Sequence, residues 1–415
     1  MRLYFPQYFT SASRFMTYTV VYKIMTSAGH TITDTKDGAD AALYSMCDVE
    51  EMPGLVKLRQ EVGTLPIVVG GAFAFNFWSA CIYADIVWIG EVFEMAECKT
   101  LAELADSPHS YIRGQKALPI ASTRIDWDRV PVCQIAPKKA YYWGGVGCKN
   151  KCRFCFTSWT HKHLVNSQAR ILQAKDIARK QKIHLMIASN EYEDGTGGKT
   201  QDMMLVDYIK RPVKASMVRC GIEFATDESR ARMGKRITRD DIYKAIQKMN
   251  TDGLSLRFFH ISGYDALADW ERYIDDLCWM LERHPNGRIL HLMYNNLQYQ
   301  NYTPLYAERR QIDPSRYIDH TVTAGWYDRL RQYSKHILVG APSPFQHVAC
   351  RMGVELSRNK ETLDWWLDKA KNPKGKLTTD GAERALHDSG VLDTPHVRFD
   401  FATGQIREWA KDHAT

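Results

Sequence analysis

Apolar residues in the first hundred positions fall in short, nearly uninterrupted runs separated by amphipathic stretches. "MRLYFP" reads as a strand, and "SRFMTYTVVYKIMTSAGH" follows it as a helix that stops near Gly29. "ADAALYSM" is a second apolar run, and residues 50–62 have helical spacing despite Pro53. "LPIVVGG" reads as a buried strand of the parallel type ending in paired glycines, and "ADIVWIGE" repeats the pattern. Strands apolar on both faces, alternating with helices, predict an α/β fold in which residues 1–105 form a Rossmann-like doubly wound sheet. Gly70 and Gly71 at a strand end admit a close backbone or ligand approach, and with Ser45 they outline a ligand crevice. Residues 106–137, punctuated by Pro108, Pro119, Pro131 and Pro137, read as a linker.

The alternation resumes over residues 138–345. "KAYYWGG", "HLMIASN", "MVRCGIEF", "LSLRFFHISG", "RILHLMYNN" and "KHILVGA" are the expected strands, with helices between them. The clearest helix begins at a Thr238 cap, gathers Ile242, Ala245, Ile246 and Met249 on one face, and stops at Gly253. About six such units predict a partial (β/α)6 barrel with its chemistry at the C-terminal strand ends. Residues 346–415, with "DWWLDKAKNPKGK", read as a polar helical region.

Composition narrows the class. The 415 residues are 45% hydrophobic and 25% charged, as in an ordinary globular enzyme. No apolar run approaches the ~18 residues of a membrane span, and the start lacks the layout of a secretory signal. Ten cysteines without an export signal suit a reducing cytoplasm, with some thiols kept for metal or redox work. A net charge of +7 allows a polyanionic partner without requiring one.

Three of those cysteines stand together in "GGVGCKNKCRFCFTSW": Cys148, Cys152 and Cys155, spaced C-x3-C-x2-C after a strand and a glycine-rich turn. A structural zinc site wants four ligands, usually from two separated C-x2-C pairs, and no second pair exists. Cys133 or a distant histidine could complete such a site. Three thiolates on one loop also suit a [4Fe–4S] cube held at three irons, the fourth left open for an exogenous ligand.

This motif, with Phe154 before its last cysteine, resembles the signature of the radical S-adenosylmethionine (SAM) superfamily. The resemblance implies a [4Fe–4S] cluster, SAM bound at its open iron, and SAM cleavage to a 5′-deoxyadenosyl radical that abstracts hydrogen from substrate. It also implies a flavodoxin or ferredoxin-type reductant. "MVRCGIEFATDESRARMGKRI" is similar to the family's fourth-strand segment: Glu223 is then expected on the SAM ribose, and Arg230 and Lys235 near the SAM carboxylate. "IASNEYEDGTGG" puts Asn190 and Glu191 where relatives place polar residues around SAM and substrate. "FFHISGYD" resembles the segment under the adenine, with Tyr264 in place of the usual proline, and "NYTPLY" resembles a T-P-L segment.

The N-terminal "GG…D-x-V-x-x-GE" run resembles the domain that binds cobalamin in part of the family. The histidine-bearing D-x-H-x-x-G loop is replaced here by "QYFTSASR", so cobalamin is not expected. Of the scattered cysteines, Cys220 and Cys350 are the candidate hydrogen-atom donors, and His291 and Tyr294 are candidates to face substrate. The substrate expectations are a nucleobase in DNA or RNA, with rearrangement or modification as outcome, or a small metabolite or peptide. A non-catalytic iron–sulfur or zinc protein is the remaining alternative.

Overall fold

The computed structural model describes residues 1–6, 12–47, 51–72, 80, 83–112, 119–136, 138–188, 200–285, 287–297, 302–307, 314–318, 320–341, 397–400 and 405–408. Its first sheet holds β1 (Arg2–Tyr4), β2 (Thr31–Thr33), β3 (Ala41–Ser45), β4 (Ile67–Gly70), β5 (Ile86–Trp88) and β6 (Ser110–Tyr111), in the order β2-β1-β3-β4-β5-β6. Every pairing is parallel except β5 with β6. Successive residues face opposite cores: Ala42, Tyr44, Ile67 and Val69 pack with Leu55 and Leu58 on one side. Leu3, Leu43, Val68 and Trp88 pack with Val20 and Ile24 on the other. Burial on both faces is what makes these strands read as continuous apolar runs.

The second of those cores also takes in Cys133, Tyr142, Ile171 and Ala174 from the following unit, so the two units share packing. There β7 (Cys133–Ala136) pairs antiparallel with β8 (Lys139–Trp143), and β8 pairs parallel with β11 (His184–Ala188). A two-stranded ribbon, β9 (Gly145–Val146) with β10 (Leu164–Val165), closes the loop between them. A five-stranded parallel sheet runs β12 (Thr200–Asp202), β13 (Met217–Glu223), β14 (Ser255–Ser262), β15 (Leu290–Asn296) and β16 (Ile337–Gly340). Among the described residues no pairing joins β11 to β12, so the expected barrel is seen as two sheets.

All six expected strands are present, and the helix Arg239–Asp252 has the predicted ends: a Thr238–Asp241 capping box and Gly253 at φ 65°. Two expectations need correction, and one strand was not foreseen. The stretch 106–137 is more than a linker, because β6 joins the first sheet and β7 the second. Glu223 ends the fourth parallel strand of the second unit only because β12, too polar to stand out, precedes it. In 346–415 the described residues are strands, not helix: β17 (Val397–Asp400) pairs antiparallel with β18 (Gln405–Glu408). "VRFD" and "QIRE" alternate with period two, a strand pattern that the polar surroundings masked.

Candidate active site

The cysteine loop is fixed at its base by the β9–β10 ribbon. Gly147 sits there at φ 71°, where a side chain would collide with the Lys162 carbonyl. Within the loop the Trp159 indole donates to the Cys152 carbonyl at 2.8 Å, and Lys151 Nζ donates to the Ser158 carbonyl at 2.6 Å. Arg153 N–H donates to the Met233 carbonyl, and the Arg153 carbonyl accepts from Leu305 N–H, both at 3.0 Å. These backbone bonds give the loop its position without consuming a thiol.

Cys148, Cys152 and Cys155 line one cavity of about 420 Å³, which Phe154, Glu223 and Lys235 also line. The Asn150 amide donates to Cys148 Sγ at 3.4 Å. Burial pushes the Cys152 thiol up to about 11, opposed by the Lys235 ammonium. Among the described residues no three His, Cys, Asp or Glu side chains are arranged to hold a single metal ion. In a cube each thiolate goes to its own iron, so the donor set to compare is three sulfurs on one loop around one cavity. That set is present.

Facing the loop, β13 carries Arg219, Gly221 and Glu223 at every second position, all lining the cavity. A register shift against β14 falls between Gly221 and Glu223, and Glu223 takes φ 72°. Left-handed backbone at a non-glycine residue costs roughly 1–3 kcal/mol and persists where surrounding contacts hold it. Those contacts are visible. The Ala225 amide donates to Asp265 at 2.6 Å, and Ser229 Oγ donates to the same carboxylate. The Phe224 and Ala225 carbonyls accept from Arg230 at 2.7 and 2.9 Å. Glu223 thereby reaches Lys235 Nζ at 3.0 Å, and Phe154 stands edge-on to Phe224 at 5.4 Å. Burial opposes the charge on Lys235, but Glu223 and the nearby thiols reverse the effect and its pKa is raised.

The structure sorts the expected site residues. Cys148, Cys152, Cys155, Phe154, Glu223 and Lys235 come together. Arg230 does not: it is 2% exposed, committed to three backbone carbonyls and Asp227, and so is a scaffold rather than a ligand for SAM. Cys220 is on the opposite face of β13 from Glu223, buried in the apolar core between sheet and helices, where burial raises its pKa far above the thiol range. It cannot hand hydrogen to a substrate in the cavity. Tyr294 also points into that core, ring-stacked on His260 at 4.6 Å, whereas His291 is on the other face, accepting from Arg257 at 3.0 Å. Asn190, Glu191 and Cys350 lie outside the described residues. Asp265, Asp202 and Arg219 were missed; the period-two series Arg219, Gly221, Glu223 was the available signal.

In the N-terminal unit the C-terminal strand ends frame a cavity of about 60 Å³ lined by Phe5, Ser45, Gly70, Gly71 and Gly90. Ser45 Oγ is buried there with no hydrogen-bond partner among the described residues. His30 is at the other end of the sheet, its ring bridging the Met1 amine at 3.1 Å and the Ala96 carbonyl at 2.9 Å. Glu91, beside this crevice, meets His161, which follows the cysteine loop, at 3.0 Å.

No family model and no curated protein matches the chain. Solved structures do. TsrM, a radical SAM methyltransferase from Kitasatospora setae with tryptophan substrate and a SAM analogue bound, has a TM-score of 0.50 and 10% identity, covering 74% of this chain and 75% of that one. OxsB, a cobalamin-dependent SAM radical enzyme, gives a TM-score of 0.47 at 13% identity, covering 95% and 72%. PylB, a methylornithine synthase, gives 0.28 at 16% identity, covering 48% and 70%. The likeness to TsrM is one of fold: this chain shares that structure's arrangement of α/β units over about three quarters of its length.

Proposed function

We propose that the chain is a radical SAM enzyme whose cluster is held by Cys148, Cys152 and Cys155. The observation that carries this reading is the placement of all three thiols on the cavity that the Glu223–Lys235 pair also lines. When bound, the [4Fe–4S] cluster supplies an electron to the SAM sulfonium, the chemistry that yields a 5′-deoxyadenosyl radical. The chain's own residues do the positioning. Cys152, buried and protonated at neutral pH, loses its proton on ligation, which Lys235 favours. Glu223, an acceptor-only carboxylate, suits the ribose diol. Lys235 neutralises it and offers its remaining donors to the SAM carboxylate. Phe154 excludes water from the cluster's edge.

The outcome we propose is hydrogen abstraction from an unactivated carbon, followed by rearrangement or functionalisation. A cavity of about 420 Å³ is within the ~300–1,000 Å³ of small-molecule sites. Cluster, SAM and substrate would share that space, so a substrate would enter it as a small molecule or as a single extruded base. His30, bonded at the far end of its sheet from the crevice, is not placed to ligate a cobalamin there. The test is oxygen-free reconstitution. Roughly four irons per chain and reductant-dependent 5′-deoxyadenosine are expected, both lost in Cys152→Ala. A single zinc, or iron without SAM cleavage, overturns the proposal.

A further inference from the structure

The inner face of the five-stranded sheet carries a polar row beneath the Glu223–Lys235 pair. In register across β12, β13, β14 and β15 stand Asp202, Arg219, Arg257 and His291. Residues paired this way in a parallel sheet share a face, with strands ~4.8 Å apart. Two arginines are therefore neighbours on adjacent strands, an arrangement that is destabilising for like charges. The row holds one carboxylate for the two, Asp202, and it is ion-paired to Arg219. Arg257 is half-buried, has no carboxylate partner among the described residues, and donates only to His291 Nδ1 at 3.0 Å. Burial and Arg257 itself both lower the His291 pKa, so it brings no compensating charge. Arg219 Nε is buried without a hydrogen-bond partner, and Arg219 lines the cavity that holds the cysteines. The row has one positive charge more than its carboxylate balances and an idle Nε–H on Arg219, and its Asp202–Arg219 end opens to the cavity, with Arg257 the next residue across the sheet.

We propose that Arg219 and Arg257 form an anion subsite that anchors the substrate by a carboxylate or phosphate group, so that the carbon to be attacked is held between this floor and the cysteine loop. The inference rests on reading the cavity as the reaction site. Guanidinium forks match both anions with two parallel N–H donors, and a guanidinium is dehydrated more easily than an ammonium, which explains arginine rather than lysine at half-buried positions. Asp202 holds Arg219 in place and sets the limit: the subsite takes one anionic group, not a polyanion.

The test is calorimetric titration of the reconstituted whole chain, at low chloride, with propionate, inorganic phosphate and the neutral isostere propionamide. One equivalent of propionate or phosphate is expected to bind, and propionamide is not. The tighter of the two anions assigns the group. Arg257→Gln and Arg219→Gln are each expected to weaken anion binding at least tenfold. Arg257→Lys, which keeps charge without the fork, is expected to fall between native and Arg257→Gln. Iron content and cluster absorbance, read in the same samples, separate this inference from the cluster assignment. Arg257→Gln keeps the cluster and loses the anion, whereas Cys152→Ala does the reverse. Circular dichroism checks that each variant is folded, and Arg257→Lys carries the test if either glutamine variant is not. A native chain that binds neither anion, or glutamine variants that bind as native, would overturn the proposal.

Discussion

Replacing Arg230 by methionine separates the structural account from the expectation its sequence position raises. The guanidinium donates to the carbonyls of Ile237, Phe224 and Ala225 and pairs with Asp227, while 2% exposed. Methionine fills similar volume but orphans three carbonyls. Removing one partner from a buried charged network costs about 3–5 kcal/mol. At about 1.4 kcal/mol per decade, local opening of the segment 223–237 should become easier by roughly two to three and a half decades. Hydrogen exchange on the amides of that segment reads this directly and avoids assuming that the whole chain unfolds in one step. Arg230→Lys should recover little, because a point charge cannot reach three carbonyls in different directions. SAM affinity should fall only as far as the displaced Glu223 explains. Exchange protection unchanged by Arg230→Met, with SAM binding lost, would refute the reasoning and restore Arg230 as a SAM ligand.

Other outcomes follow from the same geometry. Gly221→Ala puts a side chain onto the Glu223 carboxylate and 2.8 Å from Lys235 Nζ; SAM affinity measured by equilibrium dialysis should drop about 10- to 100-fold, the cost of one charge-assisted bond. Glu223→Gly relieves left-handed backbone but strands the buried Lys235 ammonium without its carboxylate, a loss of about 3–5 kcal/mol against about 1–3 gained, so denaturant stability should fall by about 2 kcal/mol while SAM binding disappears. His260 is buried neutral, its pKa pushed from 6.5 to about 3 by burial and then by Arg230. The unfolded chain takes up this proton first, so stability is intact above pH 6.5 and declines from there toward pH 3; His260→Gln should flatten that slope in unfolding titrations. Incubation with hydroxocobalamin followed by gel filtration should leave the chain without corrin absorbance.

What the sequence disclosed depended on how local the signal was. The strands of the first unit were legible because burial on two faces leaves no polar residue to interrupt "PIVV" or "IVWI". The three thiols were legible because their loop is continuous in sequence. β12 was not, since Thr200–Asp202 has no apolar residue and owes its pairing to β13. Arg230 and Lys235 looked alike in sequence, five residues apart after the same strand. Only the short helix Asp227–Arg232 turns the first back under the strand end and leaves the second on the cavity. Cys220 adjoins Gly221 in sequence, but period two sends it to the opposite face. Asp265, 42 positions after Glu223, acts through the Ala225 amide, a relation no spacing rule announces.

The central claim is that three thiols hold the cluster and leave one iron for SAM. Electron–nuclear double resonance on the reduced chain, with SAM labelled at its amino nitrogen and carboxylate oxygen, tests it at the atoms concerned. The account predicts hyperfine coupling of both labels to the cluster, absent without SAM and absent in Cys152→Ala. A cluster signal indifferent to labelled SAM, or no cluster signal from a chain loaded with zinc, would contradict it.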